Sequence, residues 1–247
     1  MVQLDLIGIG SGAQEHLTGA ARTAIATADM ILIPYKGEEK ADLADLRRAL
    51  IDALCPASTD VRYIDMPVRD PKLPYLERVD AWHQQIARRW QEQISNAPAA
   101  ARVALLVWGD PSLYDSTLRI ADQIDPKPVV RVLPGITSLQ LLTAAHAVPL
   151  NSLGGEVMIT TGRQLMAKGW PDRVDHIVVM LDGQMAFQTL AHQSKFFIWW
   201  GAFLGMEEEV LISGALDQVS DTIVAQRTAA KVRHGWIMDT YLIKRIS

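Results

Sequence analysis

The sequence predicts an α/β protein in two parts, a mostly parallel sheet followed by a mixed sheet. Three observations predict it. Apolar β-type runs alternate with helical stretches over residues 1–134, the order that produces parallel βαβ units. Some of these runs are continuously apolar, as at Val-Ala-Leu-Leu-Val 103–107, which suits a sheet covered on both faces. After Pro134-Gly135 the strand candidates are separated by shorter helical stretches, which points to some antiparallel pairing. The expected domains are therefore 1–134 and 135–247.

The elements follow in order. Residues 2–9 are a Val/Leu/Ile strand that ends in glycines, and 17–28 is an Ala-rich helix. Residues 30–33 form a second strand, stopped by Pro34, because proline cannot donate to a ladder. Leucines at 43, 46, 50 and 54 give 42–54 a helical period, and 61–66 is a third strand. A charged, Trp-bearing helix spans 74–95, and 97–101 is a loop or a fraying helix end. The strand 103–107, a helix over 112–124 and a strand at 129–133 complete the first part. In the second part, 137–147 is a Leu/Ala helix broken by Pro149. Strands are expected at 157–161, 177–181, 196–199, 210–212 and 236–244.

Bulk properties exclude several function classes. The net charge of −4 gives no basic excess for nucleic acid. Cys55 is the single cysteine, so no intrachain disulfide forms and a reducing cytoplasm fits. The N-terminus lacks the basic and cleavage regions of a signal peptide, and no apolar run reaches the length of a membrane span. The six histidines lack metal-ligand spacing, so no bound metal is expected.

Gly8-Ile9-Gly10-Ser11-Gly12-Ala13 satisfies a GxGxxG/A pattern after the first strand. A dinucleotide site would also need an acid at the end of the second strand to hold a ribose. That strand ends in Pro34-Tyr35-Lys36, and Asp29 precedes it. A dinucleotide oxidoreductase is thus an alternative with a missing part.

Three segments occur in order: IGIGSGAQEHLTGAARTAIATADMILIPYKG at 7–37, WGDPSLYDSTLRI at 108–120 and LPGITSLQLLTAAHAVPLN at 133–151. In motif, order and spacing they resemble the tetrapyrrole (corrin) methylases. That resemblance implies two αβα domains, S-adenosyl-L-methionine bound in the cleft between them, and a homodimer. Tyr114-Asp115-Ser116-Thr117, Thr160-Thr161-Gly162-Arg163 and Met180-Leu181-Asp182-Gly183 resemble the member that methylates C-1 of a corrin precursor with loss of an acetyl group. Ser11 stands where the family has the proline of GPG, Asp115 stands where it has a glycine, and Thr117-Leu118-Arg119 replaces an acidic pair. These departures fit a later, differently shaped macrocycle.

The resemblance assigns cofactor contacts to Ser11, Trp108, Gly109, Asp110, Leu113, Thr137, Ser138, Met180, Gly201, Ala202 and Gly235. Asp110 with Pro111 also reads as a helix start, an N-cap followed by N1 proline. Thr137 and Ser138 read equally as caps, and Met180 as core packing. An acidic precorrin is the implied substrate, and Arg69, Lys72, Arg78, Arg163, Lys168 and Arg173 are cations able to receive its carboxylates. Acetyl loss needs a base for water, His146 or Asp115, and an oxyanion donor, Tyr114 or Arg163. A methylase acting at another corrin carbon or on a protein side chain, and a non-catalytic corrinoid-binding protein, remain alternatives.

Overall fold

The computed structural model describes residues 1–35, 42–98 and 100–246. Lys36 and Gly37 at the end of the first segment, and Ala99 of the 97–101 loop, lie outside the described residues, as does the Leu43 side chain. The chain forms two compact units, Met1–Thr137 and Ser138–Ser247.

The first unit has five strands, β1 (Gln3–Gly8), β2 (Met30–Tyr35), β3 (Asp60–Asp65), β4 (Arg102–Val107) and β5 (Val129–Leu133), in the order β3-β2-β4-β1-β5. Every pairing is parallel. Its helices are α1 (Gly19–Ala26), α2 (Asp42–Leu54), α3 (Tyr75–Ser95) and α4 (Thr117–Ala121). Strand alternation explains the continuous apolar runs. Ile7, Ile31, Ile33, Ala104 and Leu106 enter one core with Ala21, Ile25, Leu50 and Ile51 of α1 and α2. Leu4, Leu6, Leu32, Val103 and Leu105 enter the opposite core with Ile86, Trp90 and Ile120 of α3 and α4. Both faces of the central strands are covered, so they read as continuous apolar runs, interrupted in β1 by Asp5, which pairs with Arg131.

β2 does not stop at Pro34 as expected but runs to Tyr35. It pairs with β4 only over Met30–Leu32, while its pairing with β3 continues to Tyr35↔Asp65. Asp29 and Tyr35 give their carbonyls to β3, so Pro34, out of phase with both, turns its nitrogen toward the side where β4 pairing has ended. There the missing N–H breaks no ladder bond to β3.

The expected helix over 112–124 shrinks to α4. Tyr114 has φ of 51°, a left-handed conformation that interrupts a helix. Asp115 Oδ1 then accepts from Thr117 N at 2.7 Å in the turn that leads into α4. The helix expected over 17–28 is α1, opened by Thr18, whose Oγ1 accepts from Ala21 N at 3.1 Å.

The second unit has β6 (Val157–Thr161), β7 (His176–Met180), β8 (Phe196–Ala202), β9 (Val210–Ala215) and β10 (Asp239–Arg245), in the order β6-β7-β10-β8-β9. β6 and β7 are parallel and the other pairs antiparallel, the expected mixed sheet. Helices α5 (Ser138–Ala145), α6 (Gly162–Lys168) and α7 (Leu216–His234) accompany it. α7, at 19 residues, replaces the short helical stretches expected there. Its buried positions are Leu216, Ser220, Ile223 and Arg227. They keep a helical period, but two of the four are polar, which hides the stripe. The last strand begins at Asp239, not Trp236, because Trp236 stacks edge-on to Phe203 at 5.0 Å.

Candidate active site

In the first unit the predicted residues converge at the C-terminal ends of β1, β4 and β5. This is where ligands bind in parallel sheets. Gly10 and Gly109 exchange both backbone hydrogen bonds, at 3.2 and 2.8 Å. A Cβ on Gly135 would lie 2.1 Å from the Gly109 carbonyl, and one on Gly8 would lie 2.6 Å from Gly135 N. Three strand ends therefore touch backbone to backbone. No side chain fits between them, and the polar groups of the loops stay available at the rim.

Asp110 is not the N-cap of a helix. Its Oδ1 accepts from Ser112 N at 2.8 Å and from Ser112 Oγ at 2.5 Å, and its Oδ2 accepts from Gly135 N at 2.9 Å. It ties the loop after β4 to the loop after β5. Burial pushes its carboxyl up, but the bonds from Ser112 and Gly135 outweigh that and hold it below the ordinary range. An ionised carboxylate is thus fixed at the strand ends. Ser11 is buried, its Oγ 2.7 Å from His16 Nδ1. A Cβ on Gly12 would lie 2.8 Å from the Trp108 ring, so Trp108 packs against the glycine loop. Thr137 lies beside Gly109, its Cα 3.8 Å from where a Gly109 Cβ would stand. Leu113 follows in the turn after Pro111, its amide bonded to the Asp110 carbonyl at 3.2 Å. Tyr114 is 42% exposed, and partial burial pushes its phenol up, so it stays a proton donor.

In the second unit the register brings Thr161 opposite Met180, and Thr240 opposite Gly201. Tyr241 pairs with Val179, so Met180 and Gly201 flank the start of β10. Ala202 ends β8, and the next residue, Phe203, carries the ring of Trp236. Gly235, which precedes Trp236, is the left-handed C-cap of α7. His146 follows α5, and its Nε2 donates to the Trp200 carbonyl at 3.0 Å. A carbonyl only accepts, so Nε2 carries the hydrogen of this bond, and in the neutral ring Nδ1 is the acceptor. Ser138 is the first residue of α5, and its Oγ is buried with no partner among the described residues. Arg163 is exposed near the start of α6.

Two segments quoted from the sequence prove to be one packed assembly. A Cβ on Gly162 would lie 2.2 Å from Asp182 Oδ1. Asp182 is buried and accepts from Gln184 N, Ala186 N and Tyr241 Oη at 3.0, 2.6 and 2.6 Å. Asp182 thus holds the turn after Met180. In that turn Leu181 has φ of 52° and is 66% exposed, a strained conformation of the kind that gathers at functional sites.

Residues 3–220 match the family model of the tetrapyrrole (corrin/porphyrin) methylases. The chain belongs to this family. As a tetrapyrrole methylase it is a methyltransferase whose methyl donor is S-adenosylmethionine. The curated precorrin-6A synthase [deacetylating] of Sinorhizobium sp is 43% identical, over 99% of this chain and 96% of that protein. The crystal structure of a cobalamin-synthesis-related protein (CobF) from Corynebacterium diphtheriae matches with a TM-score of 0.85 and 37% identity, covering 100% of both chains. The uroporphyrin-III C-methyltransferase of Thermus thermophilus, solved with S-adenosyl homocysteine, shares the fold at a TM-score of 0.62 and 20% identity, over 98% of this chain and 92% of that one. The methylase's own residues fit the donor. In the first unit the fixed carboxylate of Asp110 suits a sulfonium or an amino group, and the joined glycines leave backbone uncovered.

Sequence reasoning missed Arg47. It is 9% exposed, its Nε donates to the Leu106 carbonyl at 2.9 Å, and its guanidinium lies 5.1 Å over the Trp108 ring. The signal was present: Ala44, Arg47, Leu50 and Ile51 form one buried stripe on α2, and arginine is placed on such a face only when it is paired.

Proposed function

We propose that this methylase is the deacetylating precorrin-6A synthase, transferring a methyl group to C-1 of precorrin-5 with release of acetate. The observation that carries the reading is near-full-length likeness, 43% identity over 99% of the chain, to a protein of that activity. S-adenosylmethionine supplies a methyl group on a cationic sulfur. The residues that family likeness assigns to it are Ser11, Trp108, Gly109, Asp110, Leu113 and Thr137 in the first unit, and Ser138, Met180, Gly201, Ala202 and Gly235 in the second. Asp110 balances the positive charge. The protein works in the cytoplasm as a homodimer.

The second chemical event is loss of the acetyl group. Water adds to the acetyl carbonyl carbon, the bond from that carbon to the ring breaks, and its electron pair stays on the ring carbon. The water needs a base and the carbonyl oxygen a donor. Asp115 Oδ1 already accepts both the amide and the hydroxyl of Thr117, whereas Nδ1 of His146 keeps a lone pair. This favours His146 as base. Tyr114, whose phenol is pushed further up by partial burial, supplies the hydrogen bond to the oxyanion, and Arg163 is the second donor. The test is incubation with precorrin-5 and methyl-labelled S-adenosylmethionine, followed by product mass and by NMR of the methylated carbon. A single labelled methyl at C-1 is expected; a methyl at another ring carbon would assign the protein to a different corrin step.

A further inference from the structure

The turn after β7 carries two left-handed residues that are not glycine, Leu181 at φ 52° and Met185 at φ 59°. Such a conformation is unfavourable for an L-residue. Met185 packs against the core of the second unit, so burial offsets its strain. Leu181 is 66% exposed and has no comparable packing. Glycine or asparagine takes this conformation more readily. Neither burial nor backbone preference explains a leucine there, so its neighbours impose the conformation.

The neighbour that does so is Asp182. Its carboxylate is buried and reaches forward to the amides of Gln184 at 3.0 Å and Ala186 at 2.6 Å, closing the turn as aspartate side chains favour. It is also fixed from outside the turn. Tyr241 Oη of β10 donates to Oδ2 at 2.6 Å. Gly162, at the start of α6, leaves room for it, since a Cβ there would stand 2.2 Å from Oδ1. Arg227 of α7 donates Nη2 to the Asp182 carbonyl at 2.8 Å and Nε to Asp239 Oδ2 at 2.9 Å. One residue thus meets β10, α6 and α7. Backbone strain persists only where the surroundings over-determine it, and Asp182 is where they do. Met180 leads into the turn, held opposite Thr161 of β6. Arg227 and Tyr241 lie beyond residues 3–220, the span of the family match.

We propose that Asp182 is a positioning residue for the methyl donor. It holds Leu181 in the left-handed conformation and so keeps the backbone after Met180 in the shape that cofactor binding needs, with Arg227 anchoring it to α7. The proposal rests on the assignment of Met180 to the cofactor. The role is preorganisation. A turn free to relax lowers the fraction of protein competent to bind, and affinity falls by that fraction.

The experiment is calorimetric titration of the full chain with S-adenosyl homocysteine. Asp182→Asn replaces one acceptor oxygen by a donor and lets Leu181 relax. It should weaken binding about tenfold, the fold-change that matches the strain of one such residue. Measured relative to Leu181→Gly, the same change should weaken binding about twofold or less, because glycine takes the left-handed conformation freely. A residue that only stabilises the fold would have the same effect in both backgrounds. If Asp182→Asn does not fold, Arg227→Lys takes its place. Lysine keeps the charge beside Asp239 but loses the fork that also reaches the Asp182 carbonyl, and the same dependence on residue 181 is expected. Equal weakening in both backgrounds, or none in either, overturns the positioning role. Met180→Ala separates this role from the assignment beneath it. If Met180→Ala binds as wild type does while the Asp182 effect depends on residue 181, the positioning role stands and the assignment of Met180 falls. If Met180→Ala weakens binding and Asp182→Asn does not, the assignment stands and the positioning role falls.

Discussion

Arg47 donates its Nε to the carbonyl of Leu106 at 2.9 Å, and it stands in for a backbone amide that the sequence has removed. The β2–β4 register, Met30↔Val103 to Leu32↔Leu105, would next set Ile33 opposite Leu106. The Leu106 carbonyl would then accept from the amide of residue 34, which is proline. The guanidinium fills that place and carries a buried positive charge to the end of the sheet.

This relationship predicts coupling between residues 34 and 47. Arg47→Met leaves a buried carbonyl without its donor and should cost about 1–3 kcal/mol. Pro34→Ala restores an N–H in phase with Leu106, so Arg47→Met should cost clearly less in that background. Urea unfolding of the two single variants and the double variant checks it. Strict additivity would show that Leu106 does not depend on the missing amide.

The glycine contacts predict a sharp contrast among alanine substitutions. At Gly135 a Cβ would stand 2.1 Å from the Gly109 carbonyl, with only backbone to move. Gly135→Ala should therefore displace the loops and abolish binding of S-adenosyl homocysteine by calorimetry. At Gly19, in the first turn of α1, a Cβ meets nothing within 4 Å among the described residues. Gly19→Ala should leave binding intact and stabilise by about 0.4–1 kcal/mol.

Asp110 predicts an acid dependence. Its carboxyl is held below the ordinary value of 3.8. A group whose folded value is depressed contributes stability above its unfolded value, and loses it as pH falls through the folded value. The stability difference between wild type and Asp110→Asn should be constant from neutral pH down to about 5. It should shrink below 3.8. Thermal unfolding of both proteins across that range measures it, and a difference independent of pH would remove the charge from the argument.

The central strands β1, β2, β4 and β7 were legible because they are buried and read as apolar runs. Where the reading failed, a polar residue sat on an inward face or a backbone left its regular conformation. Pro34 looked like a strand end because the sequence does not reveal that Arg47 covers its missing bond. α7 was hidden because Ser220 and Arg227 occupy half of its buried stripe. The helix at 112–124 was overdrawn because the left-handed Tyr114 leaves no mark in hydrophobic spacing. The site motifs were found through family likeness, whereas the pairing of Gly162 with Asp182 and of Asp110 with Gly135 required coordinates.

Arg227 and Asp239 form a buried ion pair at 2.9 Å, with side chains 9% and 6% exposed. Burial pushes Asp239 up even though Arg227 pulls it down. Arg227 Nη2 also donates to the Asp182 carbonyl at 2.8 Å, which links α7 to the turn after Met180. Arg227→Met should cost about 3–5 kcal/mol, since it strands a buried carboxylate. Removing the exposed Arg48–Asp52 pair should cost less than about 1 kcal/mol. Equal losses in denaturant unfolding would contradict the burial argument.

In the proposed reaction, methyl transfer and acetyl loss are two halves of one event. A saturated ring carbon that bears an acetyl group has no electron pair for a methyl until a substituent leaves. The decisive measurement is the ratio of acetate to transferred methyl during turnover of precorrin-5 in ¹⁸O-labelled water. The account predicts one acetate per methyl, with the label in the acetate. It also predicts that His146→Ala slows both products together while S-adenosyl homocysteine still binds. A methylated product that keeps its acetyl group, or turnover with no acetate, would contradict it.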